Sequence, residues 1–197
     1  LSIISFTLAI WLITSSLFEI LVQFNLNLKN KQKKNWKISG KIYSQSFAHI
    51  GIALLIIGVT GGSMLKKEQI QFQKIGEIIS IDEFQLKFLG VQRKKVENYQ
   101  TDIGTFELYK KKQFIKNLMP EKRYYNFGKQ TTTEAAIYST LMGDIYVSIG
   151  DKNLDYEKTN SWTTRIWFNP FVPWIWLGVL MMTLGGLVAL LSLMRKK

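Results

Sequence analysis

The chain has 197 residues, a formal net charge of +12 from 26 Lys+Arg against 14 Asp+Glu, no cysteine and one histidine. Without cysteine there is no disulfide framework, thiolate zinc site, iron–sulfur cluster or cysteine nucleophile, and a single histidine excludes a multi-histidine metal site within the chain. A balance of +12 points to nucleic acid only if the cations lie on a folded surface, so their placement decides the class.

Residues 1–24 carry one charge, Glu19. A helix needs about 20 apolar residues to cross a hydrocarbon core, so this block predicts a first transmembrane helix. It is not read as a signal peptide, because it has neither a basic start nor a small-residue cleavage site before the lysines that follow. The chain begins at Leu1 rather than Met, as a fragment, a processed product or a trimmed chain would. Its Lys-rich, Arg-poor composition fits an AT-rich coding sequence such as an organellar genome.

Residues 25–45 form a basic loop with Lys29, Lys31, Lys33, Lys34, Lys37 and Lys41 and no acid. Residues 46–65 contain no charge and predict a second span, which includes His49. Residues 66–167 are a charged, mixed stretch. Residues 168–194 are again uncharged and predict a third span, followed by Arg195, Lys196 and Lys197. Two short basic segments thus flank the spans, the signature of an inner-facing side. The loop and the tail are placed inside, and the 66–167 domain outside. The lysine loop is topogenic in the first instance, with anionic-lipid contact a smaller addition. The outer domain keeps only a modest positive balance, which argues against a nucleic-acid partner.

The outer domain reads as β-rich. Ile70–Gln73, Phe84–Phe88, Thr105–Tyr109, Ile145–Ile149 and Thr164–Phe168 alternate apolar and polar residues, as half-buried strands do. Gly76, Gly90, Gly104, Gly128, Gly143 and Gly150 are turn candidates, and Thr133–Ser139 a short helix. The expected fold class is three transmembrane helices plus a small antiparallel barrel or sandwich outside the membrane. No catalytic constellation is present: the domain has no histidine, and no phosphate-cradling glycine motif. Glu121 and Glu134 read as network carboxylates, and Lys110–Lys112 as a solvated turn. Tyr99, Tyr124, Tyr125 and Tyr146 are either sheet and core residues or a flat face for a ring-shaped ligand.

His49 opens the second span. An ionisable residue there suggests function, and imidazole is the usual axial ligand of haem iron. On the residues alone it is either a hydrogen-bonded interfacial histidine or a ligand. Ala48, Gly51 and Ala53 nearby would admit a partner helix or a flat macrocycle. The third span opens Asn169-Pro170-Phe171-Val172-Pro173-Trp174-Ile175-Trp176, with prolines where a helix start tolerates them. Trp162, Trp167, Trp174 and Trp176 are expected in an outer aromatic belt or on an aromatic platform. Gly61-Gly62 and Gly185-Gly186 read as helix-packing points.

Six motifs in this order resemble the C-terminal part of the cytochrome c-type biogenesis protein CcmF family, a haem lyase subunit. They are Ala48-His49-Ile50-Gly51, Asn98-Tyr99-Gln100, Pro120-Glu121-Lys122-Arg123-Tyr124-Tyr125, Thr133-Glu134-Ala135-Ala136-Ile137, Gly143-Asp144-Ile145-Tyr146-Val147 with Gly150, and Pro170 through Gly178. The resemblance covers essentially the whole chain. It implies haem delivery and thioether attachment to apocytochrome c, with haem brought by a membrane haem chaperone. It implies that His49 is one axial ligand of an intramembrane haem b whose second imidazole comes from another chain. The family's tryptophan-rich segment, partner histidine and outer histidines belong to its N-terminal part and are absent here. The chain is therefore expected to assemble with a CcmF-like N-terminal subunit and not to catalyse alone. The expected location is the mitochondrial inner membrane with the domain in the intermembrane space, or a bacterial inner membrane with the domain in the periplasm. The alternative is a non-catalytic structural subunit of a large respiratory-type membrane complex.

Overall fold

The computed structural model describes residues 2–29, 40–153 and 160–194 and divides the chain into two units, Leu1–Met64 with Pro170–Lys197, and Leu65–Asn169. Lysines 31, 33, 34 and 37 and the tail at 195–197 lie outside the described residues.

The first unit is helical. α1 (Ser2–Lys29), α2 (Gly40–Met64) and α3 (Val172–Met194) are each long and apolar enough to cross a membrane. Hydrocarbon offers a hydroxyl no water partner, and several of these side chains turn back on their own helices. Thr7, Thr14 and Thr183 each donate to the carbonyl four residues earlier at 2.9 Å, and Ser63 does so at 2.8 Å. α2 begins at Gly40, ahead of the uncharged block, and takes Lys41 into its first turn. α3 begins at Val172, because Phe168–Pro170 still belong to a strand.

α2 and α3 meet through their backbones. A Cβ on Gly51 would stand 2.7 Å from the Gly178 carbonyl oxygen and 2.8 Å from the Met182 nitrogen. A Cβ on Gly178 would stand 2.6 Å from the Gly51 oxygen and 2.8 Å from the Leu55 nitrogen. Further along, the same test puts Gly58 at 2.9 Å from the Ile175 nitrogen and Gly185 at 2.8 Å from the Ser44 oxygen. Gly51 and Gly58, and likewise Gly178 and Gly185, are two turns apart and share a helix face. Lipid tails are as apolar as leucine, so helices in a bilayer gain most from close van der Waals approach, which small residues permit. α1 packs on α2, and each of these helices buries two small residues seven apart, Ala9 and Ser16 on α1, Ser46 and Ala53 on α2.

The second unit is a two-sheet antiparallel sandwich. Its strands are β1 (Lys67–Lys74), β2 (Ile78–Ile81), β3 (Phe84–Lys95), β4 (Tyr99–Lys110), β5 (Gln113–Leu118), β6 (Glu121–Tyr125), β7 (Thr131–Glu134), β8 (Ala136–Thr140), β9 (Gly143–Lys152) and β10 (Ser161–Pro170). One sheet has the order β1-β10-β9-β8; the other has β2-β3-β4-β6-β7, with β5 also paired to β4. Alternate residues point inward and build one core: Phe84, Leu86 and Phe88 of β3, Phe106 and Leu108 of β4, Ile145, Val147 and Ile149 of β9, and Trp162, Ile166 and Phe168 of β10. Phe88 and Phe106 stack at 4.9 Å.

Two buried polar side chains accompany this core. Buried Gln73 of β1 accepts from the Thr164 hydroxyl at 3.1 Å and donates to the Glu77 carbonyl at 3.0 Å, tying one sheet to the β2 side of the other. Asp102 of β4, 1% exposed, takes both Arg93 donors at 2.6 and 2.7 Å and the Tyr124 hydroxyl at 3.3 Å. Lys122 beside it reaches Asp151 of β9. A buried carboxylate is tolerable only when so paired. Burial first, then the negative Asp102 and Asp151, push the Tyr124 hydroxyl up to about 12.

Three expectations are corrected. Thr133–Ser139 is not helical: its first residues pair with β6 and its last with β9, in different sheets, with Ala135 between the two strands. Ladder partners on both sides outweigh a weak local helix preference. Gly104 and Gly150 lie within β4 and β9 rather than in turns, and Gly90 lies within β3 at a bulge. Trp162 is not in an aromatic belt; it is inward-facing in β10 and 3% exposed, while Trp167, five residues later and of opposite parity, lies between Tyr146 and Arg165.

Replacing Gly178 by Leu is expected to cost at least the about 1–3 kcal/mol of ordinary overpacking, because the clash is with backbone. Gly186→Ala, where nothing lies within 4 Å, is expected to be neutral; thermal denaturation of the detergent-solubilised chain measures both. Tyr124 must be neutral in the folded chain, so its contribution is intact below pH 10 and is lost as pH rises toward 12. Tyr124→Phe should therefore lose stability less steeply over that interval, read by alkaline unfolding together with phenolate absorbance.

Candidate functional site

His49 lies in the third turn of α2 and is half-buried. At about 100° per residue, it stands roughly 140° around the helix from the middle of the Ser44, Ala48, Gly51, Leu55 and Gly58 row that meets α3. The side of α2 bearing His49 also carries exposed Gln45 and Ile52. No hydrogen bond or ion pair to its imidazole is found among the described residues. Thus no polar group of α1 or α3 among the described residues holds the ring, although α1 also packs on α2.

Of the two occupants expected for the small residues near His49, a partner helix or a flat macrocycle, Gly51 and Ala48 meet the helix. Gly51 is filled by Gly178 and Met182, and the Ala48 nitrogen lies against the Gly185 position. Ala53 is fully buried. Close approach at these positions is thus used for packing of the helices themselves. Among the described residues, no group of three or more His, Asp or Glu could hold a metal ion. A haem held here would find one nitrogen ligand in this chain, which fits one side of an iron and leaves the other to a second source.

The four tyrosines do not make one face. Tyr99 and Tyr125 are cross-strand partners with ring centroids 5.4 Å apart, and the Arg123 guanidinium lies 5.3 Å over Tyr99. Tyr124 points the other way, to Asp102, and Tyr146 lies in the other sheet, edge-on to Trp167 at 4.7 Å. Glu121 accepts from Arg123 at 2.9 Å and Thr101 at 3.3 Å, and Glu134 lies 3.6 Å from the same guanidinium. These carboxylates neutralise an arginine, and Glu121 above all raises its already high pKa. Asp102 and Arg93, which join Tyr124 in one group, and Gln73 were not singled out from sequence. Asp102 has the same parity in β4 as the core residues Phe106 and Leu108, which was the available signal.

Residues 64–170 match the family described as the CcmF C-terminal beta-sandwich. The cytochrome c-type biogenesis protein CcmF of Haemophilus influenzae is 34% identical over 154 residues, 78% of this chain and 23% of that protein. Its counterpart in Escherichia coli is 33% identical over 143 residues, 73% of this chain and 22% of that protein. The one in Pseudomonas fluorescens is 30% identical over 188 residues, 95% of this chain and 28% of that protein. The chain thus spans about a quarter of the length of these relatives. A solved structure, the cytochrome c heme lyase CcmF, matches 76% of this chain and 24% of its own with a TM-score of 0.62 at 13% identity, a likeness of fold. The three apolar helices and the two-sheet sandwich accord with these findings, and because the family match runs over more than half of its residues, the chain belongs to the CcmF C-terminal beta-sandwich family.

Proposed function

We propose that the chain is the C-terminal portion of a cytochrome c haem lyase, working with other parts of that machinery in haem delivery and thioether attachment to apocytochrome c. The observation that carries this reading is His49: a lone imidazole in a membrane span, without an internal partner, on a side of α2 that α3 leaves free. An ionisable residue in a span is costly unless it meets a partner or a function. The names of the relatives, cytochrome c-type biogenesis proteins, support the same role.

In this proposal His49 would hold an intramembrane haem b, with a histidine from another chain as the other ligand. When bound, that haem would supply one-electron transfer within the membrane. His49 orients and holds; the thiols of the reaction must be the apocytochrome's, since this sequence has none. The partners are a CcmF-like N-terminal subunit, a haem chaperone and apocytochrome c. The lysine loop and basic tail favour an orientation with the sandwich on the outer side. Bacterial relatives favour a bacterial inner membrane, and the Lys-rich composition favours the mitochondrial one.

A second reading, a structural subunit without haem of its own, is favoured by the filling of Gly51 and Ala48 by α3. The assembled complex separates the two. Loss of supporting residues around a metal ligand typically costs about 10–100-fold in affinity, so loss of the ligand itself should cost at least that. His49→Ala is expected to abolish the b-type signal in the reduced spectrum at unchanged chain abundance. An unchanged signal would support the scaffold.

A further inference from the structure

One end of the sandwich gathers exposed apolar and basic turns. β1 starts at Lys67, opposite Phe168 near the end of β10. Lys67 pairs with Asp82 in the β2–β3 turn. Phe84, which opens β3, lies 6.1 Å from Phe168 and 6.2 Å from Tyr138 of β8, and is the register partner of Lys110 at the end of β4. Along β9 and β10, Gly150 approaches Thr163 and Tyr146 meets Trp167, so Gly143 lies level with the end of β10. The β4–β5 turn at Lys111–Lys112 and the β8–β9 turn at Leu141–Met142 therefore share the end where β1 begins and β10 finishes. In the sequence, Leu65 and Lys66 alone lie between α2 and β1, and Phe171 alone between β10 and α3.

The two turns have the chemistry of a lipid boundary. Leu141 is 79% exposed and Met142 58% exposed, at a position where polar residues are the norm. The two-residue turn is closed by the Thr140 hydroxyl, which donates to the Gly143 carbonyl at 2.8 Å, and both side chains stand exposed at its tip. Lys111 and Lys112 take left-handed backbone angles of 50° and 65°, are exposed, and have no ion pair among the described residues. Apolar tips beside flexible cations suit the acyl–headgroup boundary, the tips entering it and the ammonium groups meeting phosphate.

We propose that this end of the sandwich seats on the bilayer surface, with Leu141 and Met142 inserted and Lys111 and Lys112 against lipid phosphates. The native chain has no cysteine, so each introduced thiol is unique. The full chain in phospholipid nanodiscs would carry an environment-sensitive fluorophore on Leu141→Cys, on Met142→Cys, or on Phe127→Cys, which is 97% exposed in the β6–β7 turn. The labels at 141 and 142 should be blue-shifted and quenched several-fold more by nitroxide lipids than the label at 127. Two adjacent positions guard against perturbation at one. Labels at 141 and 142 as wet and unquenched as that at 127 would overturn the proposal. A shift that appears only when a second polypeptide is added would also overturn it, and would assign the face to a protein.

Discussion

Two backbones that touch without side chains between them set the plan of the helical unit. Gly51 and Gly178 leave each other's carbonyl oxygens closer than any Cβ could tolerate. Bilayer hydrocarbon gives apolar helices little reason to prefer one another over lipid, so contact density has to supply it. Gly58 and Gly185 extend the contact by two turns in each direction. The row they define fixes the rotation of α2 about its axis, and with it the direction in which His49 projects. The histidine is therefore placed by residues that never touch it.

The sandwich solves a different problem. In water, apolar burial is sufficient drive, and the paired sheets provide it with aromatic and β-branched residues on their inner faces. Two of its buried polar side chains are matched by several partners. Gln73 spends its amide on both sheets, and Asp102 meets a guanidinium on one side and a phenol on the other. Such groups select one registry, because a slip of one residue would bury the carboxylate without its partners.

The spans were legible because hydrocarbon imposes a rule on single residues: blocks without charge stand out whatever surrounds them. The strands with clean alternation were legible for a similar reason, since each half-buried face repeats every second residue. What failed depended on partners distant in sequence. Thr133–Ser139 has no decisive local preference, and only β6 and β9 make it two strands. Trp162 near a span resembled an interfacial anchor until its place in β10 put it inside the core. His49 was conspicuous as the one histidine, but its direction is set by a helix more than a hundred residues away. Gly51 admitted either a partner helix or a macrocycle, and its occupant, Gly178, could not be seen locally.

The central claim is that the side of α2 carrying His49 is kept free of α3 so that another chain can complete the site. A photocrosslinker placed at Ile52 or Ile56 of α2, in the chain assembled in its native membrane, tests it most directly. The account predicts adducts joining this chain to a second polypeptide, the one that carries the other imidazole. Adducts with lipid alone, or within the chain to α3, would contradict it.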